Sequence, residues 1–251
     1  NRFSKIKVLI EQFVIANLPN TELIVSDNSS GSHRTKLRHY VKSRNYKNVN
    51  VVFSRQNTSF QENLEKAMSG ASGKWLFPLS DDDVVYWQKI RRFVDVNLSN
   101  GAKAIFLSFE AEGAMSRKVK FKNYADDYQA IFSSQSEPHS IKFLPFIFFG
   151  SLLVQRDFRL KRNLKLQART WKENVYFQIP LYISLLKDRK VTQHKDPFVL
   201  YVQPLMYRFE IPKMRTDYQA IVSALVNDGK KRNTLLQKDH QRWLYWIAMH
   251  V

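Results

Sequence analysis

Between Glu22 and Phe109 the chain alternates short apolar runs with stretches of helical spacing, and that alternation narrows the folds open to it. The runs "ELIVSD" (Glu22 to Asp27), "VNVVFS" (Val49 to Ser54), "KWLFPL" (Lys74 to Leu79) and "KAIFLSF" (Lys103 to Phe109) read as buried strands. Between them, apolar residues recur on one face of a helix. Phe3, Ile6, Leu9, Ile10, Phe13 and Val14 mark a first helix over residues 3–18, stopped by Pro19 and Asn20. Residues 33–45 form a basic helix; Phe60, Leu64, Ala67 and Met68 mark a third, and Trp87, Ile90, Val94 and Leu98 a fourth. Strands separated by helices predict βαβ units, hence an α/β fold with a mainly parallel sheet flanked by helices.

Beyond Phe109 the pattern loosens. "YADDYQAIFSS" reads as helix, "PFIFFGSLLVQ" holds a buried strand, and "NVYFQIPLYISLLK" is a helix interrupted by Pro180. "KVTQHKDPFVLYVQ" is strand-like, and residues 216–251 form a helical, basic, aromatic segment. The simplest division is one domain over residues 1–215 with this C-terminal segment appended.

Composition excludes several classes. With 44% hydrophobic residues the chain is not disordered, and with no Cys it has neither disulfides nor thiolate metal sites. That fits a reducing compartment. No apolar run reaches the roughly 18 residues that span a bilayer, and the opening "NRFSKIKVLIEQFV" lacks a signal-peptide cleavage pattern. The Walker loop, G-x-G-x-x-G, H-E-x-x-H and G-x-S-x-G patterns are all missing.

Against a formal net charge of +18, three consecutive carboxylates, Asp81, Asp82 and Asp83, close the "KWLFPL" run. Adjacent like charges disfavour one another's ionisation unless something positive sits among them. In open parallel sheets, ligands bind outside the carboxyl ends of the strands. Asp27 in "VSDNSS" occupies one such end and the triplet another. An Asp at a strand end can accept a hydrogen bond from a nucleobase or ribose, and clustered carboxylates suit a hard divalent ion holding a diphosphate. Each Asp taken alone also serves as a turn or helix cap.

The order "TELIVSDNSS", then "VNVVFSRQNTSFQENLEKAMSGASGKWLFPLSDDD", resembles the nucleotide-binding half of family 2 glycosyltransferases of the GT-A fold. The elements that carry the resemblance are Asp27 to Ser30, Asn57, Asn63 with Ala67, Gly73 to Trp75, and Asp81 to Asp83. They cover about residues 1–90 well and the rest loosely. The resemblance implies a nucleotide-sugar-binding half over 1–110 and an acceptor half over 111–215. It implies that Asp27 contacts the base, that Asp82 lies near ribose and diphosphate, and that Asp83 is the main ligand of Mn²⁺ or Mg²⁺. Asp81 completes a D-x-D spelling, although many members carry an Asp where this chain has Ser80. Arg55 is a candidate diphosphate contact or a surface Arg. His194 is a candidate metal or diphosphate contact, or a structural His.

Members begin with an apolar strand ending in Pro-Thr-Tyr-Asn-Arg or similar. This sequence opens at Asn1-Arg2, inside that motif, so a first strand is expected upstream. An inverting transferase also needs a general base to deprotonate the acceptor hydroxyl. Glu173 in "ARTWKENVYFQ" stands where members place that acid, at a helix start, where an acid is also favoured by the helix dipole. Asp126 and Asp127 are the alternatives.

The expected activity is transfer of a sugar from a nucleotide-sugar donor, UDP-linked first, to a glycan or lipid-linked acceptor in bacterial surface polysaccharide synthesis. The expected location is cytoplasmic, at the inner face of the cell membrane. Lys230, Lys231, Arg232, Lys238 and Arg242, with Leu235, Leu236, Trp243, Leu244, Trp246 and Ile247, would support peripheral membrane contact or pack on the domain. A competing reading is a basic nucleic-acid-binding protein without catalysis. It leaves the strand-end acids unexplained, because carboxylates there repel phosphates.

Overall fold

The computed structural model describes residues 2–29, 31–54, 58, 60–97, 102–111, 152–157, 191–201, 216–217, 219–220, 222–223, 226 and 228–237. The first element is helix α1 (Arg2–Ala16). It ends on Asn17, whose φ of 44° is left-handed and whose N–H donates to the Val14 carbonyl at 3.2 Å. Asn tolerates that conformation better than most residues, so the stop falls before Pro19. Strand β1 (Leu23–Asp27), helix α2 (Gly31–Arg44), strand β2 (Val49–Phe53) and helix α3 (Phe60–Gly70) follow. Asn45, at φ 47°, ends α2 in the same way.

The third apolar run forms a strand only at β3 (Trp75–Leu76), because Pro78 has no N–H to give to a ladder. After the acid triplet come β4 (Val84–Val85) and helix α4 (Trp87–Asn97), then β5 (Ala104–Ala111), β6 (Leu152–Gln155) and β7 (Val191–Tyr201). Residues 229–237 are helical, started by Asp228, whose Oδ1 accepts from the Lys231 N–H at 3.0 Å.

The α/β class expected from the sequence is present, but the sheet is divided. β1 and β2 form one parallel pair, with Leu23 opposite Val49 and Asp27 opposite Phe53. The other five strands form a second sheet in the order β3-β6-β5-β7-β4. Within it β5 and β7 run parallel, whereas β6 is antiparallel to both β3 and β5, and β4 is antiparallel to β7. Among the described residues the expected parallel pairing is present in β1-β2 and β5-β7, and the other three strand pairs are antiparallel. The antiparallel partners Leu152–Gln155 and Val199–Leu200 are remote in sequence from the strands they join, so local spacing carried no sign of their direction.

The core forms where α1 meets α2 and α4. Ile10, Phe13 and Leu37 are fully buried, and the Phe13 and Trp87 rings meet edge-on at 5.5 Å. α3 covers β1 and β2 from its own side. Asn63 on α3 donates to the Ser26 carbonyl at 3.1 Å and accepts from the Ser26 hydroxyl at 2.8 Å, which fixes α3 against β1. Glu22 accepts from the Ser72 N–H and hydroxyl, both at 2.6 Å, and from the Gly73 N–H at 3.1 Å. That contact ties the entry of β1 to the entry of β3.

Candidate active site

A cleft of about 1550 Å³ lies between β1 and β3. Asp27, Asn28 and Ser29 line it from the end of β1, and Ser80 and Asp81 from the segment that follows β3. The structure thus brings Asp27 and Asp81 to one cleft. Asp27 is 6% exposed, and its two carboxylate oxygens accept from the Ser29 N–H at 3.0 Å and the Ser29 hydroxyl at 2.9 Å. Each oxygen keeps a lone pair for a further donor.

The loop after β1 is held by its neighbours. Asn28 Oδ1 accepts from the Thr58 N–H at 2.8 Å and its hydroxyl at 3.1 Å, while Asn28 Nδ2 donates to the Thr58 carbonyl. Ser54, buried at the end of β2, donates its N–H to the Asp27 carbonyl at 3.1 Å. Arg34 donates to the Ser54 carbonyl and Lys66 to its hydroxyl at 2.9 Å. These side chains make a rigid floor for Asp27. The sequence reading assigned no such role to Thr58, Arg34 or Lys66, because their contacts join loops distant in the chain.

The triplet does not act as one cluster. Asp81 lies 4.0 Å from the Arg2 guanidinium and Asp82 pairs with Lys5, both from the first turns of α1. Cations at a helix N-terminus oppose the helix dipole, and the two carboxylates offset them there. The hydrogen bond and charge of Asp82 raise the Lys5 pKa, while burial raises that of Asp81 against the lowering effect of Arg2. Asp83 turns inward instead. Its Oδ1 is buried with no hydrogen-bond partner among the described residues, and burial pushes its pKa up to about 7. Arg2 and Lys5 gave no signal in the sequence, since nearly eighty residues separate them from the acids they meet.

His194 lies on β7. It stands opposite Leu107, whereas the strand partner of Val84 on β7, Leu200, stands opposite Glu110. The two positions are three residues apart on β5 and six apart on β7, across register shifts. The His194 ring is held by Phe93 at 4.6 Å and Phe198 at 5.2 Å, and burial lowers its pKa. Among the described residues no three His, Asp or Glu side chains converge as a metal cluster. Arg55, Asn57, Asp126, Asp127 and Glu173 lie outside the described residues, as does the tail beyond residue 237. Of that tail's helix, Leu235 is buried and Lys230 exposed. No helix among the described residues is long and apolar enough to cross a membrane.

A divalent ion suits the chemistry of these donors. The carboxylates are hard oxygen ligands, and the orphaned buried oxygen of Asp83 is a position that a cation would satisfy.

No curated protein matches the chain. Solved structures do. A Staphylococcus aureus TarS structure (residues 1-349) superposes with a TM-score of 0.54 at 12% identity, over 91% of this chain and 65% of that one. The same TarS segment in complex with UDP-GlcNAc gives 0.53 at 10% identity, over 91% of this chain and 66% of that one. The mannosyltransferase PcManGT from Pyrobaculum calidifontis, in complex with GDP-Man and Mn²⁺, gives 0.52 at 14% identity, over 93% and 66%. The chain thus spans just under two thirds of these structures, and at such identities the likeness establishes the GT-A-like fold. The sequence signature described as Glycosyl transferase family 2 matches residues 1–188, three quarters of the chain, and on that match the protein belongs to glycosyl transferase family 2.

Proposed function

We propose that the protein is a metal-dependent glycosyltransferase that moves a sugar from a nucleotide-sugar donor to an acceptor hydroxyl with inversion at the anomeric carbon. The observation that carries this reading is the convergence of Asp27 and Asp81 at one end of the cleft between β1 and β3. The fold neighbours in complex with UDP-GlcNAc, or with GDP-Man and Mn²⁺, support a nucleotide-sugar donor, and a UDP-sugar is the first choice.

In this reading Asp27 accepts a hydrogen bond from the base with the lone pairs that Ser29 leaves open. Asp81 and Asp82 face the ribose and diphosphate, and Asp83 supplies the main metal ligand. Bound there, Mn²⁺ or Mg²⁺ would neutralise charge on the departing nucleoside diphosphate. The Glu173 carboxylate takes the proton of the acceptor hydroxyl as that oxygen attacks the anomeric carbon and the bond to the diphosphate oxygen breaks. His194 is left out of the metal site in this reading because its ring packs against Phe93 and Phe198.

The acceptor we propose is a glycan or lipid-linked sugar of a bacterial surface polysaccharide, reached at the inner face of the membrane. The basic surface supports an anionic neighbour of that kind: residues 28–61 contain no Asp or Glu, and Lys36, Arg38, Lys42 and Arg44 of α2 are exposed.

The test is transfer from labelled nucleotide sugars with Mn²⁺ present, in wild type and Glu173→Gln. Removing a general base typically lowers the rate by about 10²–10⁴-fold. The variant should keep donor binding and lose transfer to that extent. A Glu173→Gln enzyme with most of its rate would move the base to another residue, and absence of transfer from every nucleotide sugar in wild type would remove the proposal.

A further inference from the structure

Helices α2, α1 and α4 form one layer. α1 packs against both of the others. The Phe3 ring meets Tyr40 of α2 edge-on at 6.2 Å, and the Phe13 ring meets Trp87 of α4, so α1 runs between them. Its two sides differ. Phe3, Ile6, Leu9 and Phe13 line the cleft, whereas Val8 and Ile15 are 49% and 80% exposed. Val8 and Ile15 stand seven residues apart, two helical turns, and so share one ridge. That ridge is apolar and faces outward.

The flanking helices set positive charge on either side of it. α2 buries Leu37 and Tyr40 and leaves Lys36, Arg38, Lys42 and Arg44 exposed. α4 buries Ile90 and Phe93 and leaves Arg91 and Arg92 exposed. Among the described residues none of these six cations has a carboxylate partner. Arg38 and Arg44 lie over the Phe53 and Tyr40 rings instead, at 4.8 and 6.0 Å. Glu11 and Asp95 are the only acids in the sequences of the three helices. Glu11 is already engaged, 3.8 Å from the Lys7 ammonium and accepting from the Tyr40 hydroxyl at 3.1 Å.

Positive charge alone attracts any polyanion, but exposed apolar side chains gain only from a partner that takes them out of water. A bilayer with anionic headgroups offers both. We propose that the outward face of α2, α1 and α4 docks on an anionic lipid bilayer, with Val8 and Ile15 entering the headgroup region and the flanking Lys and Arg facing lipid phosphates. The proposal deepens the reading of an acceptor at the membrane by naming the face that meets it. Docking in this way leaves the cleft open, because α1 turns its cleft-lining residues to the other side. It also moves the contact away from the C-terminal segment, whose Leu235 is buried.

The experiment is sedimentation of the full chain with phosphatidylcholine vesicles, with and without phosphatidylserine. Binding should require phosphatidylserine and weaken as salt is added. Combining Lys36→Gln, Lys42→Gln, Arg91→Gln and Arg92→Gln should lower vesicle affinity by at least about tenfold. Val8→Ser with Ile15→Ser should lower it several-fold while the salt dependence remains. The same number of vesicles should still bind a variant carrying Lys230→Gln, Lys231→Gln and Arg232→Gln. All these side chains lie at the surface, so circular dichroism and the thermal midpoint should stay at wild-type values. The chain has no Cys, so Ile15→Cys gives a single site for an environment-sensitive fluorophore. Its emission should shift to the blue on anionic vesicles, and that of a label at Ser69→Cys, exposed on α3, should not. Failure to bind anionic vesicles would overturn the proposal, as would an unshifted label at residue 15 or a loss confined to the C-terminal variant. Binding that duplex DNA competes away and that ignores Val8→Ser with Ile15→Ser would assign the face to nucleic acid and overturn it as well. No donor or transfer is needed for any of these readings, so the docking face and the reaction stand or fall separately.

Discussion

Replacing Asp83 with Asn removes a carboxylate from a place where burial makes its ionisation unfavourable. Burial raises the pKa from 3.8 to about 7, with Asp82 and Asp81 adding to the rise and a hydrogen bond at Ser80 opposing it. The folded protein therefore keeps the Asp83 proton up to about pH 7, whereas the unfolded chain releases it near 3.8. Across that window folding takes up a proton, so this group's contribution makes stability fall as pH rises, and it is level below and above the window. At about 1.4 kcal/mol per pKa unit, ionised Asp83 costs the metal-free fold up to about 4 kcal/mol at pH 8. An Asn amide in the same buried place forfeits about 1–3 kcal/mol of unmet hydrogen bonding, which leaves a net gain of about 1–3 kcal/mol. Urea unfolding in EDTA should find Asp83→Asn more stable than wild type at pH 8 and no more stable at pH 4. Mn²⁺ should reverse the order at pH 8 by stabilising wild type alone, since a metal ligand must be deprotonated. A variant less stable than wild type at pH 8 in EDTA would refute the reasoning, because burial would then not be what governs Asp83.

Two further perturbations probe the supports of the site. Asn63→Ala leaves the Ser26 carbonyl and hydroxyl without their α3 partner, and should lower stability by about 1–3 kcal/mol in denaturant titration. His194 is held neutral by burial, with its pKa below the ordinary 6.5 despite the opposing pull of Asp196. The unfolded chain protonates first as pH falls through 6.5, so His194 makes stability decline on that side. His194→Phe should flatten that decline and leave the response to Mn²⁺ unchanged; a lost Mn²⁺ response would return His194 to the metal site.

Helices with a strong apolar period were legible in the sequence. Phe3 to Val14 placed α1 and Trp87 to Val94 placed α4, because one buried face dictates both the period and the packing. Strands β1 and β2 were legible as short apolar runs between turn residues, and their ends were off by a residue. β4 was missed because two residues behind an acid triplet read as part of a turn. "KWLFPL" looked like a full strand, but pairing continues only where the backbone has a donor and a neighbouring strand to receive it. Pro78 lacks the donor, and the edge of β3 away from β6 faces the cleft. At the site, strand-end position was enough to single out Asp27 and the triplet to which Asp81 belongs. The partition of the triplet was not legible, because it depends on Arg2 and Lys5 arriving from the far end of the chain. His194 stood among polar residues and left a ligand and a structural His both open; Phe198 stands four residues on in the same strand, while Phe93 comes from α4, remote in sequence.

The central claim is that Asp27 and the acid triplet hold a nucleoside diphosphate together with a divalent cation. Calorimetric titration of UDP and GDP, with Mn²⁺ and then with EDTA, tests it directly on the 251-residue chain. The account predicts saturable, Mn²⁺-dependent binding of at least one nucleotide, lost in Asp27→Ala and in Asp83→Asn. Binding that survives both EDTA and the loss of Asp83, or no binding of either nucleotide, would contradict it.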